Sequence, residues 1–312
     1  MTDLVLTDDE RRRYEEWGFF ARESVFGEAD LEGLRAAAER VACRADREVR
    51  ALATADPSSQ VDRDYRIDGN RYVEAANATV QFEHFEDAKT IRVIEPFHHL
   101  DPVFDALIED PRIATPLCGV LGSDRVALWT DKINFKRPRE GSGFRWHQDS
   151  PYWSHVCDHC DLLPNVMITL DDADRDNGCF RVVPGSHRMG FLPGIQDGSR
   201  LGPLFTDPAV FDADSQWMAE LPAGSLVVFS AHTVHGSEPN RSERARRAIV
   251  LTYQPPDHPM FKLEGTRNVD LASPEKSWNA LPKDVPNIVP KELAKELAKD
   301  LQEESPPESV RR

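Results

Sequence analysis

Two short stretches of the sequence carry residues of the right type and spacing to hold a metal ion. The first is Arg145-Trp-His147-Gln-Asp149. Residues two apart in an extended segment point the same way, so His147 and Asp149 present an imidazole and a carboxylate on one side. Joined by a second histidine, such a pair makes the two-His-one-carboxylate facial triad, which leaves three positions open on iron(II). The second stretch offers candidates for that histidine. Ala223-Gly-Ser-Leu-Val-Val-Phe-Ser230 reads as a turn and an apolar strand, and Ala231-His232-Thr-Val-His235-Gly-Ser237 follows at once. Both His232 and His235 lie where a folded-over sandwich brings them to the His-x-Asp edge.

Further on, Arg246 opens another strand-like run, Arg246-Arg-Ala-Ile-Val-Leu-Thr-Tyr253. An arginine aimed inward beside a metal needs an anion to pair with. A dicarboxylate co-substrate supplies one through a planar two-bond contact. Arg247, one residue along, points to the other face. With Arg241 and Arg244 it is expected to be a solvated neighbour.

These side chains need a frame. From about residue 124 the chain shows strand-like runs at 126–135, 165–170, 179–183, 225–230 and 248–253, separated by turns rich in Gly, Pro, Asp and Asn. Helical signals come earlier. Thr7-Asp-Asp-Glu10 is an N-cap with acids in the first turn, and Gly18 is the stop signal. Residues 29–53 keep apolar side chains on one helical face, and Pro111 splits 101–121 into two short helices. Residues 54–70 read as polar and turn-rich, and 190–217 as a long lid or binding loop. Helices first and strands afterwards predict a mainly β protein with flanking helices (α+β), a sandwich or barrel with helices packed outside. The expected organisation is a single domain over 1–272, with N-terminal helices in 1–123 and a β core in 124–256. A polar extension, 273–312, carries one helix, 290–301.

The bulk properties exclude several functions. The chain has 312 residues, with 54 acidic against 38 basic, a formal charge of −16. That field repels nucleic acid and anionic lipid. No apolar run approaches the roughly 20 residues of a membrane helix. The first residues, MTDLVLTDDERRR, show no basic region followed by an apolar stretch. Five cysteines, an odd number thinly spread, point to a reducing compartment, so the expected location is the cytoplasm. Cys157 and Cys160 form a CxxC, but no second ligand pair follows at zinc spacing, so ordinary thiols are the expectation.

Taken in order, the motifs resemble those of the phytanoyl-CoA dioxygenase-like family of Fe(II)- and 2-oxoglutarate-dependent oxygenases. The matching residues are Leu6-Thr-Asp-Asp-Glu-Arg with Trp17-Gly-Phe, His147-Gln-Asp149, and Asp176-Asn-Gly-Cys-Phe-Arg-Val-Val-Pro-Gly-Ser-His187. His235-Gly-Ser237 and Arg246-Arg-Ala-Ile249 complete the set, which spans residues 5–256. The resemblance implies a double-stranded β-helix, the cupin-like jelly roll. It implies His147, Asp149 and His235 as iron ligands, its spacing favouring His235 over His232, and Arg246 as the clamp on the distal carboxylate of 2-oxoglutarate. Residues 132–147 are similar to the same region of the ectoine hydroxylases. By that similarity Thr130, Asn134, Phe144 and Ser237 line the co-substrate pocket and Trp153 the substrate pocket. Thr130 stands where those enzymes carry a longer amide and Ala248 where they carry a polar side chain. The acid excess also disfavours a CoA ester.

The implied activity is hydroxylation of an aliphatic carbon of a small metabolite, with Fe(II), 2-oxoglutarate and O2 consumed to give succinate and CO2. Asp149 is present, which favours hydroxylation over halogenation, where a halide replaces the carboxylate. A cupin-like metal hydrolase or isomerase would not need Arg246, and a non-catalytic jelly-roll binding protein would not need an intact triad. The expected partner is a small molecule, and the expected assembly a monomer or homodimer.

Overall fold

The computed structural model describes residues 4–53, 61–269 and 271. The expected helix at 290–301 and the extension from 273 lie outside the described residues. The first helix is bounded by local chemistry. In α1 (Asp8–Trp17), Thr7 and Glu10 satisfy each other's backbone N–H groups as a capping box, and Gly18 closes the helix at φ 85°. A Cβ on Gly18 would also collide with His187 and Thr233. After β1 (Phe19–Arg22), α2 (Glu28–Ala53) buries Leu31, Leu34, Ala38, Val41, Ala45 and Val49 along one face.

Next comes a meander of β2 (Val61–Ile67), β3 (Asn70–Ala75), β4 (Ala78–Phe82) and β5 (Ile91–Glu95). These strands occupy a region read from sequence as turns and helices. Pro111 does separate two helices, α3 (Pro102–Leu107) and α4 (Pro111–Leu121), each capped by an aspartate. The remaining elements are β6 (Val126–Lys136), β7 (Phe144–His147), α5 (Ser150–Trp153), β8 (Pro164–Thr169), β9 (Phe180–Val182), β10 (Trp217–Met218), β11 (Leu226–Ser230), β12 (His235–Ser237), β13 (Arg246–Gln254) and β14 (Arg267–Val269).

Two antiparallel sheets form. The larger runs β1-β11-β8-β13-β6-β5-β4-β3-β2, with β14 also on β6, and the smaller runs β10-β9-β12-β7. Alternation along the central strands divides the interior in two. Ile249, Leu251 and Tyr253 of β13, with Ile133 and Phe135 of β6, meet α2, α3 and α4 in the main core. Ala248 and Val250 face the other way, toward Met167, Phe180, Val182 and Phe229. Arg246 shares the face of Ala248 and Val250, and Arg247 that of Ile249. On β6, Lys132 and Asn134 lie opposite Val250 and Ala248, so they face the space between the sheets. This is the jelly-roll layout, with helices on the outside of the larger sheet.

The segment 190–217 folds in short 3-10 turns over β7. Thr206 donates its N–H to Trp146 O, Arg145 lies over the Phe205 ring at 4.6 Å, and Trp146 meets Phe211 at 5.6 Å. Its far side is held by Asp68, whose carboxylate accepts the N–H groups of Arg200 and Leu201 at 3.0 and 2.7 Å.

Candidate active site

The register of β7 on β12 sets His235 directly opposite His147. Their ring centroids stand 4.1 Å apart. Each Nδ1 is committed to a main-chain carbonyl, His147 to Arg145 O at 2.8 Å and His235 to Thr233 O at 2.9 Å. A ring nitrogen that donates to a carbonyl leaves its partner nitrogen with a free lone pair, so both Nε2 atoms are the available donors. Both converge on Asp149, His147 Nε2 at 3.8 Å from Oδ1 and His235 Nε2 at 3.7 Å from Oδ2. The three ligand atoms lie within 4.8 Å of one another, and all three residues are buried. Among the described residues no other group of three His, Cys, Asp or Glu does this.

The electrostatics suit a cation. Burial, together with the neighbouring His235 and Lys132, pushes His147 down to about 3. Burial also lowers His235. Burial would raise Asp149, but Lys132 and the two imidazoles outweigh it and hold the carboxyl down to about 2. The set at neutral pH is therefore two neutral imidazoles and a carboxylate, the protonation state a divalent metal requires. Two partners fix that carboxylate. Lys132 Nζ lies 3.2 Å from Oδ1, and Asn165 donates to Oδ2 at 3.1 Å. Thr252 in turn donates to Asn165 Oδ1 at 2.5 Å.

The other histidine is turned away. His232 Nδ1 meets Ser150 Oγ at 2.9 Å, and its Nε2 stands 2.7 Å from Asp161. Gln148, between His147 and Asp149, is fully buried and points away from them. It donates to Gly190 O and His232 O and accepts from Leu192 N–H, tying the ligand strand to the base of the 190–217 segment.

Arg246 is 3% exposed. Its Nη2 reaches only Met167 Sδ, at 3.7 Å, and its Nε has no partner among the described residues. Burial lowers its pKa to about 10. A buried guanidinium without a carboxylate is costly, and an anion bound beside it would offset that cost. Asn134 shares the same face, and its Oδ1 also has no partner among the described residues. Arg247, expected to be a solvated neighbour, is instead held by Asp171 and Glu39 on the helix side with its side chain only 14% exposed.

The remaining residues singled out in the sequence fall around this centre. Thr130 donates to Glu95 Oε1 at 3.3 Å. Ser237 pairs with Phe144 across β12 and β7. The Phe144 ring lies under the Arg92 guanidinium at 3.8 Å. Trp153 is packed in a cluster with Trp129, Leu163, Ala231, Cys157 and Cys160. The adjacent Tyr152 presents its ring to His147 at 6.0 Å. Lys132, Asn165, Arg92 and Tyr152 were not singled out from the sequence. The available signal for Lys132 was the alternation Lys132-Ile-Asn134-Phe-Lys136, polar at every second place, at the end of the strand.

The family model described as "Phytanoyl-CoA dioxygenase (PhyH)" matches residues 14–248. A protein of Stutzerimonas stutzeri described as "Probable alpha-ketoglutarate-dependent hypophosphite dioxygenase" is 30% identical over 192 residues, which cover 59% of this chain and 65% of that one. The chain thus spans a little under two thirds of that relative's length. The ectoine dioxygenase of Bordetella bronchiseptica is 28% identical over 265 residues, 80% of this chain and 75% of its own. Among solved structures, that of EctD from S. alaskensis with 2-oxoglutarate and 5-hydroxyectoine superposes with a TM-score of 0.59 at 20% identity, covering 84% of this chain and 82% of that one. At that identity the likeness establishes the fold.

Proposed function

The chain belongs to the phytanoyl-CoA dioxygenase family, and from that premise we propose that it is an Fe(II)- and 2-oxoglutarate-dependent dioxygenase that hydroxylates an aliphatic carbon of a small metabolite. The observation that carries the reading is the pairing of two features on one inner face. One is the three-donor cluster of His147, Asp149 and His235, and the other is the buried Arg246, whose Nε has no partner among the described residues. A metal hydrolase or isomerase would use the first and have no need of the second.

His147 Nε2, His235 Nε2 and one oxygen of Asp149 would hold the iron, a donor set suited to non-haem Fe(II). When bound, the iron supplies the O2 chemistry that decarboxylates 2-oxoglutarate to succinate and CO2 and hydroxylates the substrate. The protein's own residues do the positioning. Lys132 and Asn165 fix the Asp149 carboxylate, and the Arg145 and Thr233 carbonyls hold both imidazoles in the Nε2-donor state. Arg246 would take the distal carboxylate of 2-oxoglutarate in a bidentate contact. Thr130, Asn134, Phe144 and Ser237 would line that pocket. The 190–217 segment over β7 helps exclude water.

The substrate would approach by the side of Tyr152, with Trp153 behind it. The relatives' names, ectoine and hypophosphite among them, favour a small and polar substrate. No helix among the described residues is long and apolar enough to cross a membrane. All five cysteines are free thiols, which supports a reducing compartment, the cytoplasm. The chain acts as one oxygenase unit over 1–272, with 273–312 as an extension, and works as a monomer or homodimer on a small molecule.

The test is anaerobic addition of Fe(II) and 2-oxoglutarate to the metal-free protein, followed by O2. A visible absorption band before O2, and succinate with CO2 after it, are expected. A panel of ectoine, proline and small phosphonates then searches for the substrate. Metal binding without 2-oxoglutarate binding would reject the proposal.

A further inference from the structure

Beside Arg246 lies a second buried basic side chain that the reaction as derived does not use. Lys136 is the cross-strand partner of Arg246 in the β6–β13 ladder. It is 1% exposed, one of the largest fully buried side chains. Its Nζ donates to Gly178 O at 3.2 Å and to Glu238 O. A Cβ on Gly178 would collide with this amine and with Glu238 O, so the glycine leaves the cradle open.

Two carbonyl acceptors match a neutral amine, which has two N–H groups. An ammonium has three donors, and the third finds no acceptor among the described residues. The charged and titratable groups facing Nζ are Arg246 from β13, Arg92 from β5, Glu83 just beyond β4 and the Cys179 thiol before β9. The Phe144 ring of β7 lies 5.9 Å away. Glu83 is already shared with Ser142 and stands 4.0 Å from Arg92. Two guanidiniums therefore oppose one carboxylate. Burial first, then Arg246 and Arg92, push Lys136 down to about 6.

We infer that Lys136 takes up a proton from solvent when the distal carboxylate of 2-oxoglutarate settles on Arg246, so that co-substrate binding is coupled to proton uptake. The inference rests on the proposed co-substrate site. A carboxylate on Arg246 offsets the repulsion that keeps Lys136 neutral, and puts a negative charge in the same dry space. The ammonium then becomes the favoured form. Binding an anion would cost less than a lone Arg246 allows, and affinity would fall as pH rises through the range where the free protein lacks this proton.

Calorimetric titration of the Fe(II)-loaded protein with 2-oxoglutarate under nitrogen, in buffers of different ionisation enthalpy, counts the protons. At pH 7.5 the expected uptake is close to one per 2-oxoglutarate bound. The Kd should rise by up to about tenfold per pH unit above pH 6.5. Lys136→Gln, whose amide still has two N–H groups, should abolish most of the uptake and flatten the pH dependence. Lys136→Met is the second variant should the first fail to fold. Tight binding to wild type without proton uptake overturns the inference and leaves the co-substrate site standing, and so does undiminished uptake in the variant. No binding to wild type at all overturns both.

Discussion

His147 and His235 are direct partners in the β7–β12 pair, with ring centroids 4.1 Å apart, although the sequence separates them widely. One short ladder therefore sets the spacing of two of the proposed metal donors. A slip of one residue would turn one imidazole to the other face of the sheet. The first prediction follows from this relationship. Replacing His147, Asp149 or His235 by Ala is expected to take iron from one per chain to near zero, read by elemental analysis after anaerobic loading. His232→Ala should keep its iron, because its nitrogens are turned to Ser150 and Asp161. Full iron in His235→Ala would show that the wrong histidine was chosen.

The same buried imidazoles make the metal-free protein sensitive to acid. His147 is pushed from 6.5 down to about 3, so between those values the unfolded chain binds a proton that the folded one refuses. Its contribution is complete above pH 6.5 and is lost as pH falls from there toward 3. The slope is up to about 1.4 kcal/mol per pH unit. His235 is lowered as well and adds to it with the same sign. Urea unfolding of the metal-free protein from pH 7 to 4 should show this decline, and His147→Gln should make it shallower. An unchanged slope in that variant would count against the buried neutral state.

Cys157 and Cys160 are expected to be dispensable for the chemistry. They pack with Trp129 and Trp153 rather than joining a ligand group, and Cys160 Sγ lies 3.5 Å from Cys157 O. A double Ser variant buries two hydroxyls in an apolar cluster and should lose about 1–3 kcal/mol of stability. Its iron content should be unchanged. Stoichiometric zinc in the native protein, lost from this variant, would reverse the conclusion.

Much of the site was legible because its chemistry is local in sequence. His147 and Asp149 are two apart, and the caps of α1, Thr7 and Gly18, are read from residue type alone. The core strands β6, β8, β11 and β13 announce themselves as apolar runs. The strands β2 and β3 do not. Val61-Asp-Arg-Asp-Tyr-Arg-Ile67 lies at the sheet edge with Arg63, Asp64 and Arg66 exposed, so its apolar content is too low to look like a strand. The partners of Asp149 were hidden for another reason. Lys132 and Asn165 reach it from β6 and β8, and only the stacking of the two sheets brings those strands to α5. Gln148 was passed over because its role lies in three hydrogen bonds to distant backbone.

The neighbours Arg246 and Arg247 give the sharpest test, since one strand presents them to opposite faces. Arg246 looks into the space between the sheets with Nε unpartnered among the described residues, while Arg247 is held by Asp171 and Glu39 on the helix side. Removing one side of a buried charge pair costs on the order of 3–5 kcal/mol. Arg246→Ala should therefore weaken 2-oxoglutarate by roughly two to three orders of magnitude or more, with iron binding nearly intact. Arg246→Lys should recover only part, because an ammonium cannot form the planar two-bond fork. Arg247→Ala should leave 2-oxoglutarate binding within a few-fold of wild type. It should instead lower stability, since Asp171 and Glu39 lose their shared cation, by about 1–2 kcal/mol in urea unfolding. The measurement is a 2-oxoglutarate titration of each iron-loaded variant, following succinate and, under nitrogen, binding itself. A large effect in Arg247→Ala and none in Arg246→Ala would mean that the β13 register is shifted by one. No effect in either would remove the co-substrate from this site, and with it the case against a metal-dependent hydrolase.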